Sequence, residues 1–325
     1  MSQALTTWLR ETALELGFDL VGVTSAAPLA GTTRFTSWLA AGFHGTMSYL
    51  ERTAPERGSL DAFLPGAASV ICGAMTCGGR SEDCELPADH VRVASFAARR
   101  DYHDAIRRRL VVLGRRLATR IGGLRWRPAV DAQPVLEKEL AQCAGLGFLG
   151  KHTLLVNPEL GSHLLLGELV TTADLEPDTP VESPCGECTA CLDACPTGAL
   201  VAPGVLDARR CIAYLTIEHN GPSGSDSSAS THSFLFGCDL CQEACPYTAG
   251  GRGYCNPVLA TRPELLRLSA AAVSGLDDAG WRALGAGTPL RRLNHSLLGH
   301  NLQAAVADRE GSPGGSSHLA VPKRP

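Results

Sequence analysis

Residues 185–196 read CGECTACLDACP, and residues 237–246 read GCDLCQEACP. The first motif has the spacing CxxCxxCxxxCP. In this spacing, three thiolates wrap one iron–sulfur cubane, and the cysteine before the proline serves a different cubane. The second motif repeats the end of this pattern with one cysteine fewer. The two motifs therefore predict two [4Fe-4S] clusters, and we expect Cys211, which lies between them, to be the eighth ligand.

The crossover of the fourth cysteine assigns the ligands of each cluster. The first cluster takes the first three cysteines of the first motif and the last of the second: Cys185, Cys188, Cys191 and Cys245. The second cluster takes the remaining cysteines: Cys195, Cys211, Cys238 and Cys241. The main alternative is a pair of structural zinc sites, which would use paired CxxC motifs and would not need the CxxxCP endings. A disulfide framework is a further alternative.

Composition excludes several classes of protein. Of the 325 residues, 44% are hydrophobic and 19% are charged, which excludes disorder over most of the chain. The formal net charge of −4 excludes a global basic field that would attract nucleic acid or membranes. No apolar run approaches the ~20 residues of a membrane helix, and the N-terminal residues read as an amphipathic helix rather than a signal peptide. We therefore expect a cytoplasmic protein, in which thirteen cysteines indicate metal or redox chemistry.

Hydrophobic patterning predicts an α+β fold. Buried strands are predicted at residues 18–24, 69–76 and 163–172, and helices at 101–121, capped by Asp101, and at about 133–143. We expect an N-terminal α/β domain over residues 1–172 and a ferredoxin-like double-cluster domain over 173–257. A short C-terminal helical region over 258–306 and a disordered tail over 307–325 complete the prediction. Residues 219–232 read as a low-complexity polar loop that holds no single conformation.

Several other strings accompany the cysteine motifs. They are LPGAASVI (64–71), RRDYHDAIRRRL (99–110), VDAQPVLEKELAQCAGLGFLGKHTLLVNPELGSHLLLGEL (130–169) and LDARRCIAYLTIE (206–218). With these strings the chain resembles the epoxyqueuosine reductase family over residues 1–305. The cluster motif alone occurs in many ferredoxin-like proteins, whereas its combination with DxxPVLE, GLGFLGK and CIxYLTIE is specific.

The resemblance implies a cobalamin-dependent iron–sulfur reductase that removes the epoxide oxygen from epoxyqueuosine at the wobble position of tRNA, giving queuosine. It implies that residues 1–172 bind cobalamin, that tRNA is a partner and that an external low-potential donor supplies electrons. We expect a monomer without membrane contact. Asp131 matches the proton-donating aspartate of the family, and we expect desolvation to raise its pKa. The alternative role of Asp131 is to cap the helix that follows it.

The resemblance also implies contacts with cobalamin. The matching residues are Arg57, Asp131, Gly150, Lys151, Ser162, Gly237, Asp239 and Leu240. Backbone amides of glycine turns hold amide and phosphate groups, although each of these residues has a structural role as its alternative. His103 and His163 are weaker candidates as cobalt ligands, because a lone histidine is more often a packing or capping residue.

The chain departs from the family pattern at three positions. Lys138 replaces an arginine, Ala213 replaces a serine, and His300 replaces the arginine of an Arg-Asn pair. These departures leave two other functions open: a cobalamin- and iron–sulfur-dependent reductase of a small molecule, similar to reductive dehalogenases, and an iron–sulfur electron-transfer protein. The arginines within residues 99–127 indicate either a phosphate-binding surface or the solvated face of a helix.

Overall fold

The computed structural model describes residues 2–79, 87, 89–219, 231–248 and 254–310. Its helices are α1 (Ser2–Glu15), α2 (Gly31–Ala40), α3 (Ser48–Arg52), α4 (Ala54–Arg57), α5 (Leu60–Phe63), α6 (Tyr102–Ala118), α7 (Glu137–Cys143), α8 (Ala190–Asp193), α9 (Ile212–Ile217), α10 (Leu240–Glu243), α11 (Ala270–Ser274), α12 (Asp278–Gly285) and α13 (His295–Glu310). Its strands are β1 (Leu20–Ser25), β2 (Ser69–Thr76), β3 (His90–Val93), β4 (Trp126–Ala129), β5 (Phe148–Leu149), β6 (Leu155–Val156), β7 (Leu164–Thr171), β8 (Leu200–Ala202), β9 (Val205–Leu206), β10 (Phe234–Phe236) and β11 (Leu268–Ser269).

A four-stranded antiparallel sheet forms the centre of the N-terminal region, in the order β1-β2-β7-β4. β2 pairs with β7 along its whole length, from Ser69 opposite Thr171 to Thr76 opposite Leu164. Every residue of β2 is buried, because α1 and α6 cover one face of the sheet and α5 and α7 cover the other. The three strands predicted from buried apolar runs are confirmed as β1, β2 and β7.

The direction of these strands corrects one part of the predicted fold class. An α/β domain in the strict sense contains a parallel sheet, but all three strand pairs of this sheet are antiparallel. The α+β fold of the whole chain is therefore confirmed, and the α/β prediction for the N-terminal region is wrong. Buried apolar runs predict strands without predicting their direction, because the direction depends on where the connecting segments pack.

The helices α6 and α7 begin at different kinds of boundary. Asp101 caps α6 as predicted, since its side chain accepts a hydrogen bond from the His103 backbone N–H at 3.0 Å. α7 begins at Glu137 rather than near residue 133. Pro134 disfavours helical backbone at the residue before it, and Asp131 lies in the left-handed region with φ +56°. Residues 130–136 therefore form a turn between β4 and α7.

A second sheet, in the order β10-β3-β11, takes one strand from each of the three predicted regions. β10 pairs parallel to β3, and β11 pairs antiparallel to β3. The hydrophobic core beside this sheet includes Trp281 of α12 and Leu298 of α13. This shared sheet packs the three predicted regions together. The division of the chain at residues 172, 257 and 306 remains a prediction.

The end of the chain is described only in part. α13 continues to Glu310, beyond the boundary predicted at residue 306. The rest of the predicted tail, residues 311–325, and the centre of the predicted polar loop, residues 220–230, lie outside the described residues. Among the residues that the structure describes, no helix is both long enough and apolar enough to span a bilayer.

Candidate active site and cluster cysteines

The cysteines assigned to the first cluster surround one cavity of about 20 Å³. They come from both motifs and are Cys185, Cys188, Cys191 and Cys245. Burial and the other three thiols of the set, Cys245 foremost, raise the pKa of Cys191 to about 11. The fold therefore brings the last cysteine of the second motif to the first three cysteines of the first motif. Their binding of a cluster remains a prediction.

The other four cysteines lie in the wall of a larger cavity of about 330 Å³. They are Cys195, Cys211, Cys238 and Cys241. Burial raises the pKa of Cys241 well above its ordinary value, and the nearby thiols of Cys238 and Cys211 raise it further. Cys211, which belongs to neither motif, precedes α9 and thereby reaches the cysteines of the second motif.

Short hydrogen-bonded turns hold the cysteines in place. The Lys151 ammonium donates to the carbonyl oxygens of Gly186 at 2.7 Å and Cys188 at 2.8 Å. The Ala199 backbone N–H donates to Cys195 Sγ at 3.3 Å, which is the kind of contact expected from the small residues around the motifs. Within the described parts of the chain, no three His, Cys, Asp or Glu side chains are arranged around a single metal ion.

The larger cavity lies between the N-terminal sheet and the cysteine-containing region, and leucines of β6 and β7 supply much of its wall. Two buried histidines interrupt this apolar wall: His152 is 3% exposed and His163 is 4% exposed. Neither Nε2 atom has a hydrogen-bond partner among the described residues. Because an unpaired buried polar atom is costly, these atoms point to a ligand with polar groups in the cavity.

The protonation state of His152 follows from its surroundings. Burial lowers its pKa to about 4, so the imidazole is neutral at pH 7. Its Nδ1 atom accepts a hydrogen bond from the Leu154 N–H at 3.2 Å, which leaves the proton on Nε2. His152 therefore holds an unused donor between the two cavities, since it lines both of them.

The residues predicted to contact cobalamin fall into groups. Ser162, Asp239 and Leu240 line the larger cavity. Gly150 and Lys151 instead line the smaller cavity, beside the first set of cysteines. Asp239 also has a structural role, because its buried carboxylate accepts the Ser95 N–H at 2.6 Å.

Gly237 and Arg57 have structural contacts in this fold. Gly237 has φ +68°, and a Cβ atom there would lie 2.6 Å from the Cβ of Ala94. This close approach by itself explains why residue 237 is a glycine, and no contact with a ligand is needed to explain it. The guanidinium of Arg57 donates to the Val135 carbonyl oxygen at 3.0 Å and so holds the turn that carries Asp131.

Asp131 belongs to a chain of alternating carboxylates and an imidazole. Its Oδ2 atom lies 2.8 Å from His103 Nε2, and His103 Nδ1 lies 2.7 Å from Asp101 Oδ1. Arg291 Nε lies 2.9 Å from Asp101 Oδ2. Arg292 Nη1 lies 4.0 Å from Asp131 Oδ2. Both ring nitrogens of His103 are therefore occupied by carboxylates.

The electrostatics of this chain place the proton on the imidazole. Burial alone would raise the pKa of Asp131, but the hydrogen bond and charge of His103 and the charge of Arg292 lower it overall. Burial alone would lower the pKa of His103, but Asp101 and Asp131 raise it to about 9. At neutral pH, His103 is an imidazolium and Asp131 is a carboxylate.

The expected pKa shift of Asp131 and its alternative role as a helix cap are therefore both wrong. Its pKa is lowered rather than raised, because the fold brings His103 and Arg292 to it from distant segments. It is also not the helix cap, since the position before α7 is Leu136.

Tyr102 and Glu137 connect this chain to the larger cavity, which both residues line. The ring of Tyr102 stacks on His103 with centroids 4.0 Å apart, and burial and the charge of Asp131 raise the pKa of Tyr102 well above its ordinary value. Burial and the charge of Asp131 raise the pKa of Glu137 to about 7. The same cavity is therefore lined by Tyr102 and Glu137 and by the second set of cysteines.

Two of the three departures from the family pattern face this cavity. Lys138 and Ala213 both line it, and burial lowers the pKa of Lys138. The third departure, at residue 300, precedes Asn301, which is buried and donates to the Thr216 and Leu235 carbonyl oxygens at 2.9 and 3.0 Å. The hydrogen bonds of Asn301 near that end of the chain therefore have a structural role.

The arginine-rich stretch divides between packing and surface. Arg99 is buried and donates to the Cys77 carbonyl oxygen at 2.7 Å, and Arg120 lies 3.9 Å above the ring of Trp8. Four arginines of α6 are exposed: Arg107, Arg108, Arg115 and Arg116. These arginines of α6, together with the exposed Arg100 and Arg125, are available for phosphate.

Sequence reasoning missed two residues, Arg292 and Glu168. Arg292 Nη1 lies 4.0 Å from Asp131 Oδ2, and its guanidinium also donates to Glu218 at 2.7 Å. Glu168 is fully buried in β7, and its presence inside an otherwise apolar strand was a signal that the sequence offered.

Comparison with known proteins gives the family. Residues 57–132 match the family described as "Epoxyqueuosine reductase QueG, DUF1730", and residues 184–248 match the "4Fe-4S double cluster binding domain". An epoxyqueuosine reductase of Xanthomonas campestris pv. campestris is 37% identical over 94% of this chain and 87% of its own length. The epoxyqueuosine reductase of Escherichia coli is 34% identical over 92% of this chain and 80% of its own length.

Solved structures of the same enzyme share the fold. A selenomethionine-labelled epoxyqueuosine reductase, 28% identical, superimposes with a TM-score of 0.85 over 95% of this chain and 83% of its own. An epoxyqueuosine reductase with an epoxyqueuosine-modified tRNA-Tyr stem loop has the same identity and coverage and a TM-score of 0.84. A third, from Bacillus subtilis, has its catalytic aspartate loop swung out of the active site. The chain belongs to the epoxyqueuosine reductase family.

Proposed function

We propose that this protein reduces epoxyqueuosine in tRNA to queuosine, with two [4Fe-4S] clusters and cobalamin as cofactors. Two carbon–oxygen bonds of the epoxide break, a carbon–carbon double bond forms, and the oxygen leaves as water with two electrons and two protons consumed. One observation carries the proposal. Tyr102, whose ring stacks on His103 of the Asp131–His103 pair, and a set of four cysteines line the same cavity.

The cysteines fit two clusters, because each predicted set of four surrounds or lines one cavity. The first set would hold one cluster beside Lys151, and the second set would hold the other at the wall of the larger cavity. When bound, the clusters transfer single electrons and cobalamin supplies a cobalt centre that reduces the substrate. An external low-potential donor supplies the electrons.

The larger cavity fits cobalamin in its chemistry. A corrin has an apolar ring with amide groups at its edge, and the leucine-rich wall with the unpaired Nε2 atoms of His152 and His163 offers both kinds of surface. We propose that Ser162, Asp239 and Leu240 contact the cofactor from the cysteine side of the cavity. Lys151 and Gly150 lie beside the first set of cysteines and support that site. Arg57 and Gly237 support the backbone around the larger cavity.

The protein's own residues move the protons. Asp131 is a carboxylate at neutral pH, so it takes a proton from His103 Nε2, which lies 2.8 Å away, and passes this proton to the leaving oxygen. Asp101 holds the imidazole in line through Nδ1 and stabilises its charge. Tyr102 stacks on the imidazole of His103, with ring centroids 4.0 Å apart, and holds its orientation.

The RNA partner enters through analogy with the relative that binds a tRNA-Tyr stem loop. We propose that the exposed arginines of α6 contact tRNA phosphates and that Arg292, 44% exposed beside Asp131, contacts the substrate end of the anticodon. The protein acts as a monomer in the cytoplasm, where tRNA is found.

The test is anaerobic conversion of an epoxyqueuosine-modified anticodon stem loop, measured by mass spectrometry of the nucleosides. The reconstituted wild type should give queuosine and contain about eight irons and one cobalamin per chain. Asp131→Asn should lose roughly 100- to 10,000-fold in rate and keep both cofactors, because it removes the proton donor alone. A loaded wild type that leaves epoxyqueuosine unchanged, or an Asp131→Asn variant with full activity, would refute the proposal.

A further inference from the structure

A short turn of the C-terminal region reaches the active site with two consecutive arginines. It is the 3-10 helical turn Pro289–Arg292, which lies between α12 and α13. Leu290 and Leu293 are buried on either side of the arginines, so the turn is anchored in the core beside β3. The Gly287 carbonyl oxygen accepts the backbone N–H of Asp101 at 2.8 Å and joins the same segment to the start of α6.

The two arginines lie at opposite ends of the row of ionised groups in the active site. Arg291 Nε lies 2.9 Å from Asp101 Oδ2, and Arg292 Nη1 lies 4.0 Å from Asp131 Oδ2. His103 lies between the two carboxylates, at 2.7 Å from Asp101 Oδ1 and 2.8 Å from Asp131 Oδ2. Positive and negative charges therefore alternate along the row, which begins and ends with an arginine.

The proposed mechanism changes the charges in the middle of this row. When His103 Nε2 gives its proton to Asp131, the N–H bond breaks, an O–H bond forms on the carboxylate, and no electrons are transferred. His103 and Asp131 both become neutral, and the total charge of the row is unchanged. Among the residues that the structure describes, His103 and Arg291 are the cations paired with the Asp101 carboxylate. After the transfer, Arg291 is the one of these two that is still charged.

Asp101 needs this remaining cation because its side chain is only 5% exposed. A buried carboxylate that loses its cation is costly, and the cost would oppose the proton transfer. Arg291 prevents it, because its guanidinium stays charged throughout the reaction. Its contribution to folding is small, since the Arg291 side chain is 54% exposed and water screens its charge. The position of Arg291 is therefore better explained by the proton transfer than by stability.

We propose that Arg291 is a positioning residue that remains as the counter-ion of Asp101 while His103 passes its proton to Asp131. The proposal rests on the proposed function for the use of this proton. Arg291 acts through Asp101, at the end of the row opposite Asp131. Its positive charge also weakens the hold of Asp101 on the imidazolium, so that the proton on Nε2 leaves more readily.

Other titratable and charged groups face the row from the elements packed around it. They are Tyr49 from α3, Tyr102 from α6, Glu137 from α7, Glu218 after α9 and Arg292 from the turn itself. Glu218 accepts a hydrogen bond from Arg292 at 2.7 Å, so this arginine is shared between two carboxylates. These groups surround the Asp131 end of the row, whereas Arg291 lies at the Asp101 end.

The first test measures the protonation of His103 without substrate. The full-length protein, loaded with hydroxocobalamin and with its clusters oxidised, carries isotope-labelled histidine and is titrated by NMR, and His103→Gln assigns the signal. In the wild type the imidazole should lose its proton at about pH 9. In Arg291→Gln this midpoint should rise by roughly half a pH unit or more, because a positive charge near the imidazolium is removed.

Two further variants complete this test. Arg291→Lys should restore the wild-type midpoint, since it returns the positive charge. The matched control is Arg282→Gln, which removes an exposed arginine of α12 that pairs with Asp278 and should leave the midpoint unchanged. A midpoint that stays at about pH 9 in Arg291→Gln would overturn the proposal.

The second test measures turnover. At about pH 7.5, Arg291→Gln should lower kcat roughly tenfold with KM unchanged, and Arg291→Lys should recover most of the loss. Arg291→Met, which keeps the apolar stem without the charge, takes the place of Arg291→Gln if that variant does not fold. Wild-type kcat in the uncharged variant, or an equal loss in Arg291→Lys, would overturn the proposal. If the His103 midpoint moves as expected but the protein never reduces epoxyqueuosine, the proposed function is refuted and the counter-ion role of Arg291 stands.

Discussion

His103→Gln removes the imidazolium that lies between Asp101 and Asp131, and its effect can be worked from the geometry. The two carboxylates raise the pKa of His103 from 6.5 to about 9, a shift of roughly 2.5 pKa units. At 1.36 kcal/mol per unit, the charged form is stabilised by about 3 kcal/mol. The side chain is only 24% exposed, so solvent screens this interaction little. At pH 7.5 an ordinary histidine would be about one tenth protonated, whereas His103 is almost fully protonated.

The assay is kcat/KM for an epoxyqueuosine-containing stem loop between pH 6 and 10. We expect the wild type to keep its activity up to about pH 8 and to lose it as the pH rises through about 9, where His103 loses its proton. His103→Gln should be roughly 100-fold slower at pH 7.5 and should lack the decline near pH 9. The matched control is His90→Gln, which removes a histidine paired with the exposed Asp89 and should behave as the wild type.

The same group links stability to pH. Because the folded pKa is raised, His103 contributes its full stabilisation below pH 6.5 and loses it as the pH rises through about 9. The difference in thermal midpoint between wild type and His103→Gln should therefore be largest at pH 6 and shrink above pH 9. The reasoning is refuted if the variant retains more than about a third of wild-type activity at pH 7.5, or still declines near pH 9.

Two further predictions concern the cysteine sets. Cys211→Ser should lower the iron content from about eight to about four per chain, measured by anaerobic iron quantitation, because it removes a ligand of the second cluster. The control is Cys143→Ser, which changes a cysteine outside both sets and should keep all the iron. Equal iron content in the two variants would contradict the assignment. Lys151→Met should destabilise the first cysteine turn by about 2 kcal/mol, since it removes two charge-assisted hydrogen bonds, one of them to the Cys188 carbonyl oxygen. The expected result is faster bleaching of the cluster absorbance in air, and an unchanged rate would show that Lys151 does not hold this turn.

The cysteine spacing carried the most information in the sequence, because a cubane constrains its ligands through local geometry. Three cysteines three residues apart, followed by a cysteine and a proline, predict a crossover between two clusters with no knowledge of the rest of the fold. The strands β2 and β7 and the Asp101 cap were predictable for a similar reason, since burial of an apolar run and capping of a helix depend on neighbouring residues.

The environment of Asp131 was not predictable from the chain. The residue itself emerged from the motif around it, but its partners come from other segments: His103 from the first turn of α6 and Arg292 from the segment before α13. Their charges reverse the pKa shift that burial alone would cause. The sheet direction failed for the same reason, because the pairing of β4 with β7 depends on how intervening segments pack.

The amino-acid sequence by itself thus determined the family, the cluster chemistry and the candidate acid, all of which depend on short motifs. Only the tertiary structure decided where the proton resides. The energy of a charge interaction depends on the distance between the charges in space and not on their separation along the chain. It is therefore determined only when the segments pack together. Glu168 is the clearest case. It is a polar residue in an otherwise apolar strand, and it is protonated because the fold buries it away from water and places no hydrogen-bonding partner beside its carboxyl group.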